Sequence, residues 1–146
     1  MEKLLIKGGK CLSGEIDCSG AKNAALPVIA ASILSSDDIT LQNLPFLQDI
    51  TTMFELIGSM GADISLDENM NFKINTSNLS SLEARYELVK TMRASILVLG
   101  SMIAKYGYAK IVLPGGCAIG SRPVNYHLNA LKKLGAEISL KNGYIE

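Results

Sequence analysis

Apolar residues recur at helical spacing in "DITTMFELIGSMG", where Ile50, Met53, Phe54, Ile57 and Met60 share one face. The pattern predicts an amphipathic helix, with Thr52 and Glu55 at capping-box spacing and Asp49 as a second N-cap candidate. A later helix begins near Pro123, a residue suited to a first helical position, and turns Val124, Leu128, Leu131 and Leu134 inward. Gly61 and Gly135 follow these helices where a left-handed C-cap is wanted, and the strands "ADISL" and "AEISL" come next.

The two stretches are copies of one pattern. "SMGADISL" at Ser59–Leu66 recurs as "KLGAEISL" at Lys133–Leu140. Upstream, the small-residue helix "AKNAALPVIAASIL" leads into "DITLQNLP", a strand and turn. The helix "TMRASILVLGSMIAKYG" leads likewise into "AKIVLPGG". The unit is helix, strand, loop, helix, strand, seen twice, and its period is too long for an ordinary solenoid. Pseudo-symmetric packing of repeated α/β units is the expected architecture. "DENMNFKINTSNLSS" predicts a hairpin-like strand pair and linker between the copies, with turn chemistry at Asn69 and Asn78. The opening "KLLIKGGKCLSGEIDCSG" alternates like two strands joined by a Gly-Gly turn and lies outside the repeat. At the other end, "NGYIE" is a turn after which the strand begun at Ala136 would pair back. The chain stops there abruptly, as if more protein should follow.

Composition narrows the class. Apolar residues are 48%, charged residues 19% and aromatics 5% of 146 residues, a globular balance with material for a core. Fourteen basic and fourteen acidic residues cancel, so no nucleic-acid or anionic-membrane surface is expected. The start lacks a signal peptide's long apolar segment, and "ASILVLGSMIA" is too short to cross a bilayer. Cys11, Cys18 and Cys117 have no metal-ligand spacing, and the single histidine, His127, cannot complete a usual zinc site. The expectation is a reduced, cytoplasmic protein without a usual zinc site.

Candidate chemistry gathers at helix starts. Lys22 and Asn23 in "SGAKNAALP" sit where free backbone N–H groups and the helix dipole favour an anion. By spacing alone, a capped helix with a solvated lysine is the commoner arrangement. Arg93 in "KTMRAS" holds the equivalent place in the second copy, where an ordinary surface arginine also fits. Arg122 precedes Pro123 and offers a planar fork for a carboxylate or phosphate. Cations at three helix starts suggest one shared anionic ligand. Cys117 lies in the glycine-flanked loop "LPGGCAIGSRP", where neighbouring positive charge would favour a reactive thiolate and where the loop could close over a substrate, although many loop cysteines are inert. His127 fits a packing or capping histidine, and Cys11 and Cys18, on predicted strands, fit structural roles.

Taken together, "SGAKNAALP", "LVKTMRASI" and "LPGGCAIGSRPV" resemble the N-terminal part of the UDP-N-acetylglucosamine enolpyruvyl transferases (1-carboxyvinyltransferases), within the EPSP synthase-like family. The resemblance runs over essentially the whole chain. It implies the N-terminal part of an inside-out α/β barrel, with residues 1–20 as strands that pack on a second domain. Residues 21–146 would be an incomplete substrate-binding domain of two units, about 21–82 and 83–146. It implies transfer of the enolpyruvyl group of phosphoenolpyruvate to the 3′-hydroxyl of UDP-N-acetylglucosamine, the first committed step of peptidoglycan synthesis, with phosphate released and no cofactor or metal.

By resemblance, Cys117 and Lys22 are the candidate catalytic residues. Cys117 would be the general acid that protonates the methylene carbon and the residue that fosfomycin alkylates. Lys22 and Asn23 would meet phosphoenolpyruvate, and Arg93 would help hold the sugar nucleotide. Arg122, Pro123, Val124, Asn125 and Tyr126 would line the nucleotide site. Asn125 stands where the family usually has Asp, which keeps an acceptor and loses a charge. The remaining part of the same enzyme is an implied partner, and the fragment alone is expected to be inactive. Two alternatives stand beside this reading: a 3-phosphoshikimate 1-carboxyvinyltransferase, and a noncatalytic sugar-nucleotide-binding remnant.

Overall fold

The computed structural model describes residues 3–84, 86–90, 92–113 and 124–146. Within them, α1 (Lys22–Ala31) continues as a 3-10 turn (Ser32–Leu34) and is followed by β1 (Ile39–Leu41) and α2 (Gln48–Ser59). The hairpin strands β2 (Asp63–Leu66) and β3 (Phe72–Asn75) complete this first set. A short β4 (Glu83–Ala84), the single turn α3 (Tyr86–Val89) and a 3-10 turn (Arg93–Ile96) lead to the second set. That set is α4 (Leu97–Tyr106), β5 (Lys110–Val112), α5 (Asn125–Lys133), β6 (Leu140–Lys141) and β7 (Tyr144–Ile145).

The repeat expected from the sequence is present in the topology. The first sheet runs β1-β3-β2 and the second runs β4-β5-β7-β6, so both copies place their last strand between the other two. Every pairing within a copy is antiparallel, and β4 joins β5 in parallel.

Burial follows the helical period. Ile50, Met53, Phe54, Ile57 and Met60 are all in the core, and Phe54 stacks on Phe72 of β3 with ring centroids 4.2 Å apart. Helix α1 packs against both α2 and α4. It buries Ala25, Leu26, Ile29 and Ala30, whose small members let the helix axes approach, while α4 buries Val98, Leu99 and Met102. A polar clasp joins the two copies where these helices end. The Lys105 ammonium donates to the Ser35 carbonyl at 2.5 Å and to Thr76 at 3.3 Å, and the Tyr106 hydroxyl donates to the Thr76 carbonyl at 3.1 Å. The buried Thr76 hydroxyl lies 3.0–3.3 Å from the carbonyls of Ser32, Ile33 and Ser35.

Glycine closes α2 as anticipated. Gly61 has φ +107°, and a Cβ there would lie 2.7 Å from the Ser80 nitrogen, which donates to the Met60 carbonyl. Gly135 also has positive φ. At the chain's last turn, Asn142 (φ 51°) and Gly143 (φ 80°) take the two left-handed positions of a tight hairpin, so β7 pairs back on β6.

Five expectations are corrected. Helix α2 opens with Leu47 as N-cap and no side-chain cap, so Thr52 falls in the second turn, buried, and Asp49 lies in the first turn. Neither serves as a cap because the helix, opening at Gln48, starts too early for both of them. In α5, Leu128 is buried and Leu131 half-buried, but Leu134, the residue that ends the helix, is 84% exposed. His127 is exposed and packs against nothing that would bury it.

Residues 3–20, expected as two strands, form none, and Leu4, Leu5, Ile6, Leu12 and Ile16 are all at least 79% exposed. A two-stranded ribbon without a surface to cover is marginal in water. Cys11 and Cys18 are therefore exposed free thiols rather than structural strand residues.

The β2–β3 turn is organised by one carboxylate. Asp67 accepts the backbone N–H of Asn71 and of Asn69, each at 2.9 Å, and the Asn71 side-chain amide at 3.1 Å. These bonds, led by the Asn71 N–H, hold its pKa below the usual 3.8. A depressed carboxyl pKa contributes stability above the unfolded value and loses it as pH falls through the folded one. We expect Asp67→Ala to destabilise the chain at neutral pH, with the difference from the parent shrinking steadily below pH 3.8. Urea titrations across that range measure it.

Candidate functional site

Apolar burial along α1 and α4 leaves their starting ends as the places where charge can meet water. The C-terminal end of α4 meets the turn that extends α1, through Lys105 and Ser35. Two helices that pack along each other and meet at those ends begin from a common side. Lys22 is the first residue of α1, and Arg93 opens the 3-10 turn that feeds α4.

The approach to α1 is braced. The Asn43 side chain accepts the Gly20 N–H at 3.1 Å and donates to the Cys18 carbonyl at 3.3 Å. Asn43 itself takes φ 54°, a left-handed conformation that asparagine tolerates. Gly20 runs so close to this loop that a Cβ would lie 1.9 Å from the Asn43 carbonyl oxygen. The chain then turns into α1 through Ala21, with no side-chain cap and no acidic residue in the first turn. Pro27 has no N–H to give the Asn23 carbonyl four residues earlier, and Asn23 is exposed.

Lys22 is paired across space. Its ammonium lies 2.8 Å from Asp49 Oδ2, in the first turn of α2, with the two side chains 44% and 37% exposed. Arg93 is half-buried and engaged by its surroundings. Lys90 is committed to Glu87, whose hydrogen bond holds the lysine pKa above its usual value. Beside Arg93, Ser95 is fully buried and its hydroxyl has no partner among the described residues.

Of the other predicted site residues, Val124 caps α5 and is half-buried, while Asn125 and Tyr126 are exposed in its first turn. Cys117, Arg122 and Pro123 lie outside the described residues. Sequence reasoning missed the role of Asp49, taken there as a cap. Its position in a first helical turn was visible, but its partner 27 residues away was not. Among the described residues, no three His, Cys, Asp or Glu side chains come together as metal ligands, and no helix is long and apolar enough to cross a membrane.

A mainly apolar groove of about 800 Å³ opens elsewhere, between the C-terminal half of α4 and the end of α5. It is lined by Leu99, Ile103, Tyr108, Leu131, Leu134 and Ile138 among others. It carries no cation of the set above.

Comparison with known proteins bears on the family and the fold. Residues 6–146 match the family EPSP synthase (3-phosphoshikimate 1-carboxyvinyltransferase). Over all 146 residues the chain is 56% identical to a UDP-N-acetylglucosamine 1-carboxyvinyltransferase of Halorhodospira halophila (strain DSM 244 / SL1), and it spans 35% of that protein's length. In structure it resembles the enolpyruvyl transferase NikO from Streptomyces tendae, with a TM-score of 0.73 and 23% identity. That likeness covers 94% of this chain and 30% of the other, and it establishes the fold.

The Gly20 brace is testable. We expect Gly20→Ala to cost about 1–3 kcal/mol, as overpacking against backbone does, and to shift the amide resonances of Asn43 and Lys22. Denaturant titration with NMR reads both effects.

Proposed function

The chain belongs to the EPSP synthase family, and from that premise we propose that it carries the opening part of a UDP-N-acetylglucosamine 1-carboxyvinyltransferase. The observation that carries this reading is the 56% identity extending over the entire chain. The family description names a phosphoshikimate acceptor, whereas the relative so similar throughout names the sugar nucleotide. The second weighs more because it is the closer likeness in sequence.

In this reading phosphoenolpyruvate gives its enolpyruvyl group to the 3′-hydroxyl of the sugar nucleotide. Protonating C3 of the enol leaves positive charge at C2, the hydroxyl attacks that carbon as it gives up its own proton to a base, and phosphate departs when C3 loses a proton again. Cys117 is the proton donor at C3 and the thiol that fosfomycin would alkylate. Lys22 and Arg122 hold the phosphate, Asn23 lies beside them, and Arg93 supports the sugar nucleotide. Pro123, Val124, Asn125 and Tyr126 line the nucleotide. Fixed cations suit this chemistry, since preorganised charge holds a carboxylate and a phosphate without reorganising during the step. The basic starts of two helical segments, both without a side-chain cap, support the reading.

The reaction places the protein in peptidoglycan and cell-wall synthesis, and so in cell shape and division, within the cytoplasm. Because the chain spans about a third of its relative, residues 21–146 act as two units, 21–82 and 83–146, of an incomplete substrate-binding domain. Residues 1–20 pack on a second domain, which would give Leu4, Ile6 and Leu12 the cover they lack here. Alone, the chain binds its ligands weakly and turns over nothing.

Joined to the remaining two thirds of the Halorhodospira relative, the chain should release phosphate from phosphoenolpyruvate with UDP-N-acetylglucosamine as acceptor. Phosphoenolpyruvate binding without phosphate release would favour a noncatalytic binding module, and preference for shikimate 3-phosphate would favour the other acceptor. In the same protein, fosfomycin mass should appear on the tryptic peptide holding Cys117. Labelling confined to Cys11 or Cys18 would overturn the assignment of the thiol.

A further inference from the structure

We infer that Asp49 is a positioning residue for Lys22, aiming its ammonium at the anion rather than neutralising it. The inference rests on the reading of Lys22 as an anion-binding group.

Lys22 stands where a cation is least at home. As the first residue of α1 it adds a full positive charge to the positive end of the helix dipole. Nothing local offsets this, because the N-cap is Ala21 and the first turn holds no acidic residue. Left alone, the long side chain would swing away into water and take its charge out of the site. Asp49 supplies the missing counter-charge from a different helix, 2.8 Å from the ammonium.

Asp49 is itself a well-anchored partner. It lies in the first turn of α2, where the helix dipole favours a carboxylate. The helix below it is fixed by Ile50, Met53, Leu56 and Ile57, all at most 3% exposed. On the other side, Gly20 and Asn43 brace the chain that carries Lys22. The carboxylate and the lysine backbone are thus held by separate rigid supports, with only the lysine side chain left to orient.

Pairing does not use up the lysine. An ammonium has three donors, and one contact with Asp49 Oδ2 leaves two for a phosphate or carboxylate. At 44% exposure the side chain remains open to a ligand on its solvent side. Lysine carries considerable rotamer freedom, and holding it in place before the ligand arrives removes part of that cost from binding.

The test compares the parent chain with Asp49→Ala and Asp49→Glu, all in the 146-residue form. Side-chain NMR of the Lys22 ammonium, assigned by its loss in Lys22→Arg, reads positioning without any ligand. We expect Asp49→Ala to narrow and shift that signal toward free lysine, and Asp49→Glu to restore it in part. Titration with phosphoenolpyruvate should give a Kd roughly three- to tenfold weaker in Asp49→Ala, the scale of a lost partly exposed ion pair with its ordering. In the joined protein described above, the same variant should raise KM for phosphoenolpyruvate by a similar factor while changing kcat less.

An unchanged Lys22 signal in Asp49→Ala overturns the inference, as does equal phosphoenolpyruvate affinity. Tighter binding by Asp49→Ala overturns it too, since Asp49 would then be a competitor for the lysine. If the parent chain binds phosphoenolpyruvate no better than Lys22→Ala does, the anion-binding reading falls and this inference with it. A parent that binds through Lys22, beside an Asp49→Ala variant that binds equally well, removes the inference alone.

Discussion

Helices α1 and α4 each bury an apolar face, and the packing of those faces on each other shapes the rest of the chain. Helix α1 is covered by α2 and α4, and α4 by α1 and the turn that extends it. Charge on the shared faces would be stranded in a dry interior, at a cost no exposed ion pair recovers. It is tolerated only at the ends. At the closing end, Lys105 uses its charge to hold the carbonyls of Ser35 and Thr76. At the starting end, Lys22 and Arg93 stay near the surface, where an anion can reach them.

The same constraint explains why the copies agree in topology and differ in completeness. Each hairpin completes a sheet, and in each sheet the copy's last strand lies between its other two. In the first copy α2 buries a full face, helped by the Phe54–Phe72 stack. In the second, α5 buries Leu128 and leaves Leu134 exposed at the rim of the apolar groove. The two copies thus share a plan while the second is less fully covered.

Charge at the helix starts is arranged as a set of separate supports. Gly20 and Asn43 hold the backbone, Asp49 holds the lysine side chain from another helix, and the buried face of α2 holds Asp49. A polar site mounted this way can meet an anion with little rearrangement. That is the mounting which the proposed anion-binding role of Lys22 calls for.

Much of this was legible from the sequence alone because it is local. The inward face of α2 follows from a 3.6-residue period, the ends at Gly61 and Gly135 from a residue without Cβ, and the final hairpin from Asn142-Gly143. The duplicated plan was visible because "GADISL" and "GAEISL" preserve the same local signals. Lys22 and Arg93 could be singled out because each begins an apolar helix.

What only the tertiary structure decided depends on partners distant in the chain. Asp49 carries an N-cap signature, yet its carboxylate turns to a lysine on another helix. Leu134 continues the helical period of α5, yet no neighbour covers it. Residues 3–20 alternate like strands, yet strand pairing needs a surface to cover and these residues have none. Periodicity states which side of an element is apolar; whether anything lies against that side is settled by the packing of the whole chain.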